Sequence, residues 1–456
     1  MALLGFLDRD HSVAGPDYSR WLVPPAALAI HLSIGQAYAF SVFNLPLSRL
    51  VGGAESGPTD WKLSTIGWVF SVAIVFLGLS AAVFGAWLER VGPRRAMFAS
   101  ALCFGGGFEI AALGVATHQF WLLLLGYGVL GGIGLGLGYI SPVSTLIKWF
   151  PDRPGMATGM AIMGFGGGAM IGSPLSTALM AQFKATSPQG VAPTFVVMGL
   201  LYLVFMMFGV FTVRVPREGW KPEGWTDARR ANRMVTSGNV TAARAITTPQ
   251  FWLLWLVLCM NVTAGIGVLG QASPMIQEMF PGVISAGAAA GFVGLLSLAN
   301  MGGRFFWSSL SDYIGRKAVY ATFFLLGAAL YATVPATGHA GNVVMFVIGY
   351  VIILSMYGGG FATIPAYLRD MFGTIQVGAI HGRLLTAWST AGVLGPVLVN
   401  YIREYEIAHG VAKADAYTTT MHIMAGLLVI GFVSNLLVRP VDERHVEAEV
   451  PAPSAA

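Results

Sequence analysis

The sequence predicts an all-α membrane protein, with twelve transmembrane helices in two pseudo-symmetric six-helix bundles. Three observations carry that prediction. Of 456 residues, 55% are hydrophobic and only 10% charged, whereas soluble domains are nearer a quarter charged. One soluble core stops growing near ~250–300 residues, so this much apolar surface calls for a bilayer as its solvent. Twelve apolar stretches reach the ~20 residues that a spanning helix needs. A third signal is a repeat with a constant offset of 223 residues, seen from Glu89 to Asp312.

The expected spans are 21–48, 63–88, 95–116, 120–147, 155–181, 193–213, 250–277, 286–311, 317–337, 342–368, 378–402 and 417–438. Residues 1–20 are polar and form an N-terminal segment. The apolar run that starts at Trp21 is longer than the apolar core of a signal peptide, so it is expected to be a retained helix. The widest polar gap separates the sixth and seventh spans. It divides the chain into a first bundle (21–213), a linker (214–249), a second bundle (250–438) and a tail (439–456).

Basic residues set the orientation. Arg90, Arg94, Arg95, Lys148, Arg153, Arg214, Arg217, Lys221, Arg229, Arg230, Arg233, Arg316, Lys317, Arg369, Arg439 and Arg444 fall on one side. Arg49, Lys62, Lys184, Arg403 and Lys413 fall on the other. The bias predicts cytoplasmic termini and residence in the cell inner membrane. It also accounts for the net charge of +5 without nucleic acid as a partner.

Several chemistries are excluded. Cys103 and Cys259 lie in apolar runs, too few for a disulfide framework or metal cluster. The glycine run from Gly126 to Gly138 lacks the Gly-Lys-Ser/Thr ending of a phosphate loop, and its small residues suit close helix packing. The aqueous loops carry no metalloprotease motif, paired catalytic carboxylates or nucleophile elbow. No cofactor is expected, and neither enzyme nor sensor fits.

The repeat aligns Glu89, Gly92 and Arg94 after the second span with Asp312, Gly315 and the Arg316-Lys317 pair after the eighth. It also aligns Gly172 with Gly395 and Phe165 with Trp388. Glycine permits the sharp turn, the acid suits a helix end, and the cations hold the loop on the cytoplasmic side. These two acidic-x-x-Gly-x-basic loops resemble the loop motif of the major facilitator superfamily and are read as structural latches. The resemblance implies that superfamily's fold, with two parallel halves around a central site.

A narrower resemblance lies in Gly35-Gln36-Ala37-Tyr38-Ala39-Phe40, in Lys148-Trp149-Phe150-Pro151-Asp152-Arg153-Pro154-Gly155, and in Thr386-Ala387-Trp388 with Gly392-Val393-Leu394-Gly395-Pro396. These segments look like the first helix, the loop between helices 4 and 5, and helix 11 of the oxalate/formate antiporter family, in its bacterial monocarboxylate-transporter-like branch. Small organic anions are the substrates this implies. The oxalate exchanger of that family has a Lys within helix 11. Here Leu384-Leu385-Thr386-Ala387-Trp388 offers none, which favours a monocarboxylate such as lactate, pyruvate, formate or acetate.

Arg304 is the only Lys or Arg deep within a span. It stands eight residues, about 12 Å, before Asp312. A central Arg costs at least ~2.5–3.5 kcal/mol on insertion scales. The repeat-equivalent residue is Ala81, so the fold needs no charge there. A carboxylate substrate fits the guanidinium fork; the competing reading is a fixed pair with a buried acid such as Glu109. Gln36, Tyr38, Tyr139, Asn300, Tyr357 and Trp388 are the other candidate substrate-binding residues. Two titratable groups inside spans, His31 and Glu109, are candidates for proton coupling. In the animal monocarboxylate carriers that the family resembles, an Asp precedes the helix 8 Arg by four residues, but here Asn300 does.

The expected activity is therefore secondary active transport of a small monocarboxylate by alternating access, as proton symport or anion exchange, by a monomer. The alternatives are an oxalate/formate-type dicarboxylate exchanger and a major facilitator exporter of another small molecule.

Overall fold

The computed structural model describes residues 2–53, 55–224, 234–236 and 238–447. Arg229, Arg230 and Arg233 of the expected basic face, and the end of the expected tail, lie outside the described residues. Among the described residues, twelve long helical runs carry the chain: α1 (Arg20–Leu47), α2 (Leu63–Val91), α3 (Pro93–Ala116), α4 (Phe120–Trp149), α5 (Pro154–Phe183), α6 (Val191–Thr212), α7 (Pro249–Met279), α8 (Ala286–Ile314), α9 (Arg316–His339), α10 (Val343–Phe372), α11 (Val377–Ala408) and α12 (Thr418–Leu437). Each expected span falls on one of them.

Among the described residues, ten helices are long and apolar enough to cross a membrane. α5 and α8 are not among these ten. Glycines dilute the apolar content of α5, and Asn300, Arg304 and serines dilute that of α8. The two helices pack face to face at the centre of the protein, so part of their surface is covered by protein rather than by lipid.

Three helices depart from regular α geometry within their length. α1 tightens to a 3-10 helix over Gly35–Phe43. α4 widens to a π-helix over Leu124–Gly131. α11 is broken at Leu385, between Val377–Leu384 and Thr386–Ala408. Such departures re-aim side chains and recur at functional sites.

The repeat is a structural fact. Gly92 and Gly315 adopt matching left-handed conformations, φ 85°, ψ 166° and φ 89°, ψ 151°, each separating consecutive helices. Glu89 accepts the backbone N–H of Gly378 at 2.9 Å, and Asp312 accepts those of Gly155 and Met156 at 2.9 and 2.8 Å. Each acid thus caps the positive end of a helix in the opposite bundle. Lys148 flanks Glu89 at 2.8 Å, and Arg316 joins Asp312 to Asp370 at 2.6 and 3.0 Å. The counterpart of Arg94 is Lys317. Arg94 donates to the carbonyl of Val213 at the end of α6, and Lys317 to that of Leu436 at the end of α12.

The contacts of Glu89 and Asp312 close the two bundles together at the end where α1 begins and α12 ends. Hydrogen bonds between bundles continue inward through Thr158 to Ala362, Arg304 to Ile162 and Ser389 to Ile74, as far as Tyr38 to Tyr357. Close helix approach makes this possible. A Cβ at Gly159 would lie 3.0 Å from the carbonyl oxygen of Arg304, and one at the equivalent Gly382 would collide with that of Ala81.

Candidate functional site

Arg304 lies within this closed interface and is 0% exposed. α8 carries it, and the glycine at position 166 of α5 leaves room for its side chain, since a Cβ there would stand 3.2 Å from Nε. Nε donates to Oδ1 of Asn300, one turn earlier, at 3.0 Å. Nη1 donates to the carbonyl of Ile162 on α5 at 3.4 Å. Nη2 is buried without a hydrogen-bond partner. Phe165 and Phe361 face the guanidinium, 5.5 and 5.2 Å from ring centroid to Cζ. No ion pair among the described residues includes Arg304. Glu109, the acid weighed as its partner, stands on α3 beside Gly199 of α6 and is not brought to the site.

A web of rings surrounds the cation. Trp388 of α11 lies 4.4 Å from Phe361, 5.4 Å from Phe165 and 5.3 Å from Tyr139, measured between centroids. Tyr38 packs on Phe165 at 5.0 Å, and its hydroxyl shares a 3.0 Å hydrogen bond with that of Tyr357. The Tyr38 and Tyr139 hydroxyls stand close to Arg304, within the range over which its charge acts on both. Trp388 Nε1 and the Tyr139 hydroxyl are buried without partners. The repeat-related Phe165 and Trp388 meet directly, which places the cluster on the axis relating the bundles.

Six of the expected binding residues, Arg304, Tyr139, Tyr38, Asn300, Tyr357 and Trp388, are therefore gathered by α1, α4, α8, α10 and α11. Gln36 is buried, but its Oε1 accepts from Tyr127 at 3.0 Å inside the first bundle, so that end of the amide turns from the ring web. His31 is brought in. Its ring packs on Tyr139 at 5.4 Å, Nδ1 meets the carbonyl of Ala27 at 3.2 Å, and Nε2 has no partner. The sequence reading missed three residues. Phe165 and Phe361 are ordinary core aromatics until the fold sets them against Arg304. His381 was legible as a histidine inside the eleventh span. It packs on Tyr139 at 5.8 Å with neither ring nitrogen bonded.

The constellation is a buried set of donors around one permanent cation, with no acid among its members. It suits an anion, and among the described residues no group of three or more His, Cys, Asp or Glu could hold a metal ion.

The description of the Major Facilitator Superfamily matches residues 18–396 and, overlapping them, 283–455. The chain belongs to this superfamily. The superfamily member is a multi-span membrane transporter rather than an enzyme. It is similar to the oxalate:formate antiporter of Oxalobacter formigenes, 25% identical over 381 residues that make up 83% of each chain. It is similar to apicoplast pyruvate carrier 1 of Toxoplasma gondii, 24% identical over 72% of this chain and 68% of that protein. Its fold is shared with the human organic anion transporter MFSD10, at a TM-score of 0.66 and 15% identity over 92% of this chain and 100% of that one.

Proposed function

We propose that this superfamily member is a secondary carrier of small monocarboxylates that works by alternating access. The observation that carries the proposal is Arg304, a fully buried guanidinium with no acidic partner among the described residues and one N–H edge left open among tyrosine and tryptophan donors. An isolated charge in a dry interior is costly, and a carboxylate neutralises it while filling the open edge. Relatives named for oxalate, formate and pyruvate support an organic anion as cargo.

The mechanism follows from charge balance. Closing the bundles over Arg304 dehydrates it, so passage through the occluded state is favoured when an anion is aboard. The acids Glu89 and Asp312 hold the terminal face shut, and their release opens it. On the orientation that the basic loops favour, the closed face is the cytoplasmic one. Uptake with a proton and exchange of one anion for another both obey this rule. We assign proton movement, where it is coupled to transport, to His31, which packs on Tyr139 as His381 does.

The test is uptake by the purified protein in liposomes of radiolabelled lactate, formate, acetate and oxalate, with and without a pH gradient. At least one monocarboxylate should enter, and Arg304→Gln should lower its rate at least tenfold. Transport of oxalate alone, or full uptake by Arg304→Gln, would replace this reading with a dicarboxylate exchanger or a different cargo.

A further inference from the structure

The donor set does not end at the guanidinium. His31 and His381 flank Tyr139 on two sides, from α1 and α11, and stand close enough to interact electrostatically. Both are essentially fully buried, with 0% and 1% exposure. Three of their four ring nitrogens lack a partner. A single carboxylate held by Arg304 does not need this second polar corner.

The repeat provides an internal control. His381 occupies the position of Thr158 in the first half, and Tyr139 that of Ala362 in the second. Thr158 Oγ1 donates to the Ala362 carbonyl at 2.6 Å, so that copy of the contact is satisfied. The copy between His381 and Tyr139 carries three polar atoms, two imidazole nitrogens and a hydroxyl, and none is bonded. The fold can therefore close this contact without loose polar groups, and leaving buried polar atoms unmet is costly. The same comparison separates Arg304 from Ala81. Both departures from the repeat lie on the ring web, linked through Tyr139 and Trp388. Close packing fixes the imidazole, because α11 abuts the carbonyl of Ala81 at the neighbouring Gly382.

We infer that His381, with His31, forms a second recognition corner of the anion site, specific for a carboxylate that carries a second oxygen function. The inference rests on the carboxylate reading above. Arg304 takes the carboxylate, and the imidazoles and the Tyr139 hydroxyl meet the second oxygen, which is a hydroxyl, an oxo group or a further carboxyl. A neutral imidazole can donate or accept, so it suits each of these. A plain alkanoate fills the first corner only and leaves the second unmet, the situation in which polar sites reject analogues strongly.

The experiment measures equilibrium binding of propionate, pyruvate, lactate and malonate to the purified full-length protein by calorimetry. The wild type should bind at least one of the last three tenfold or more tightly than propionate, and which one it prefers identifies the second function. His381→Phe keeps a ring against Tyr139 and should bring that ratio near one, while His381→Gln should keep part of it. If His381→Phe does not fold, His381→Gln and His31→Phe read the same ratio. An equal affinity for all four acids in the wild type overturns the inference, as does a ratio that survives in His381→Phe. Arg304→Gln separates the two claims: it should weaken all four acids alike. Unchanged affinities in that variant overturn the guanidinium reading while a lost ratio in His381→Phe stands, and binding of no acid by the wild type overturns both.

Discussion

Asn300 Oδ1 accepts from Arg304 Nε at 3.0 Å, one helical turn apart on α8. The amide orients the guanidinium without cancelling its charge, so the cation remains available to a mobile anion. An aspartate in the same place would accept the same hydrogen bond and neutralise it. Asn300→Asp is therefore expected to keep or raise the melting temperature while lowering anion affinity at least tenfold, measured by thermal unfolding and calorimetry on the same preparation. Undiminished affinity in that variant contradicts the proposed role of Arg304.

Tyr139 gives stability and function opposite signs. Its buried hydroxyl has no partner in the closed state, and removing an unpaired buried polar group relieves ~1–3 kcal/mol. Tyr139→Phe should raise the melting temperature of the empty protein by a few degrees. It should also weaken binding of the transported anion about tenfold, because that hydroxyl is a donor of the site. A variant that loses stability instead would show that the hydroxyl serves the fold.

The acids at the terminal face set the conformational balance. Glu89 and Asp312 each accept charge-assisted hydrogen bonds at a helix N-terminus of the opposite bundle. Hydrogen bonds to charged groups contribute ~1.5–3 kcal/mol, and about 1.4 kcal/mol moves a two-state balance tenfold. Asp312→Asn should shift the population toward opening of this face. Spin labels on cysteines introduced at Arg153 and Ile375, after removal of Cys103 and Cys259, should report a longer distance between bundles. An unchanged distance distribution would remove the latch from the mechanism.

Glycine contacts set how tightly the halves close. A Cβ at Gly166 would lie 3.1 Å from Cα of Met301 and 3.2 Å from Nε of Arg304. Gly166→Val adds bulk that the interface cannot absorb, and overpacking of this kind costs ~1–3 kcal/mol. Transport should fall at least tenfold with expression and helix content retained, checked by liposome uptake and circular dichroism. Gly106, whose Cβ would meet nothing within 4 Å, is the control position, and Gly106→Val should leave uptake near wild type.

Much of the architecture was legible because the bilayer simplifies the physics. A spanning segment must satisfy its own backbone, so length and apolarity alone locate helices. Even α5 and α8, which are not among the ten helices apolar enough to cross a membrane, were legible as long, mostly apolar stretches. The latch residues were legible through their repetition, but their partners were not. Nothing local indicates that Glu89 reaches Gly378, or that Arg94 corresponds to Lys317 in contacting the last carbonyls of its bundle. Arg304 stood out because charge in hydrocarbon is rare. Gln36 and Glu109 looked similar in kind, yet one turns its carbonyl to Tyr127 and the other faces α6. Which side of a helix meets the central axis depends on packing between helices far apart in sequence.

By itself the sequence determined the class of solvent, the number of helices, the twofold repeat and the presence of one unexplained buried cation. Each of these follows from composition or from position along one chain. Tertiary structure decided that Arg304 has no acidic neighbour among the described residues, that Phe165 and Trp388 meet on the axis, and that His31 and His381 converge on one tyrosine. Those facts depend on which of twelve helix faces are brought together, and that is a property of the packed bundles rather than of any single helix.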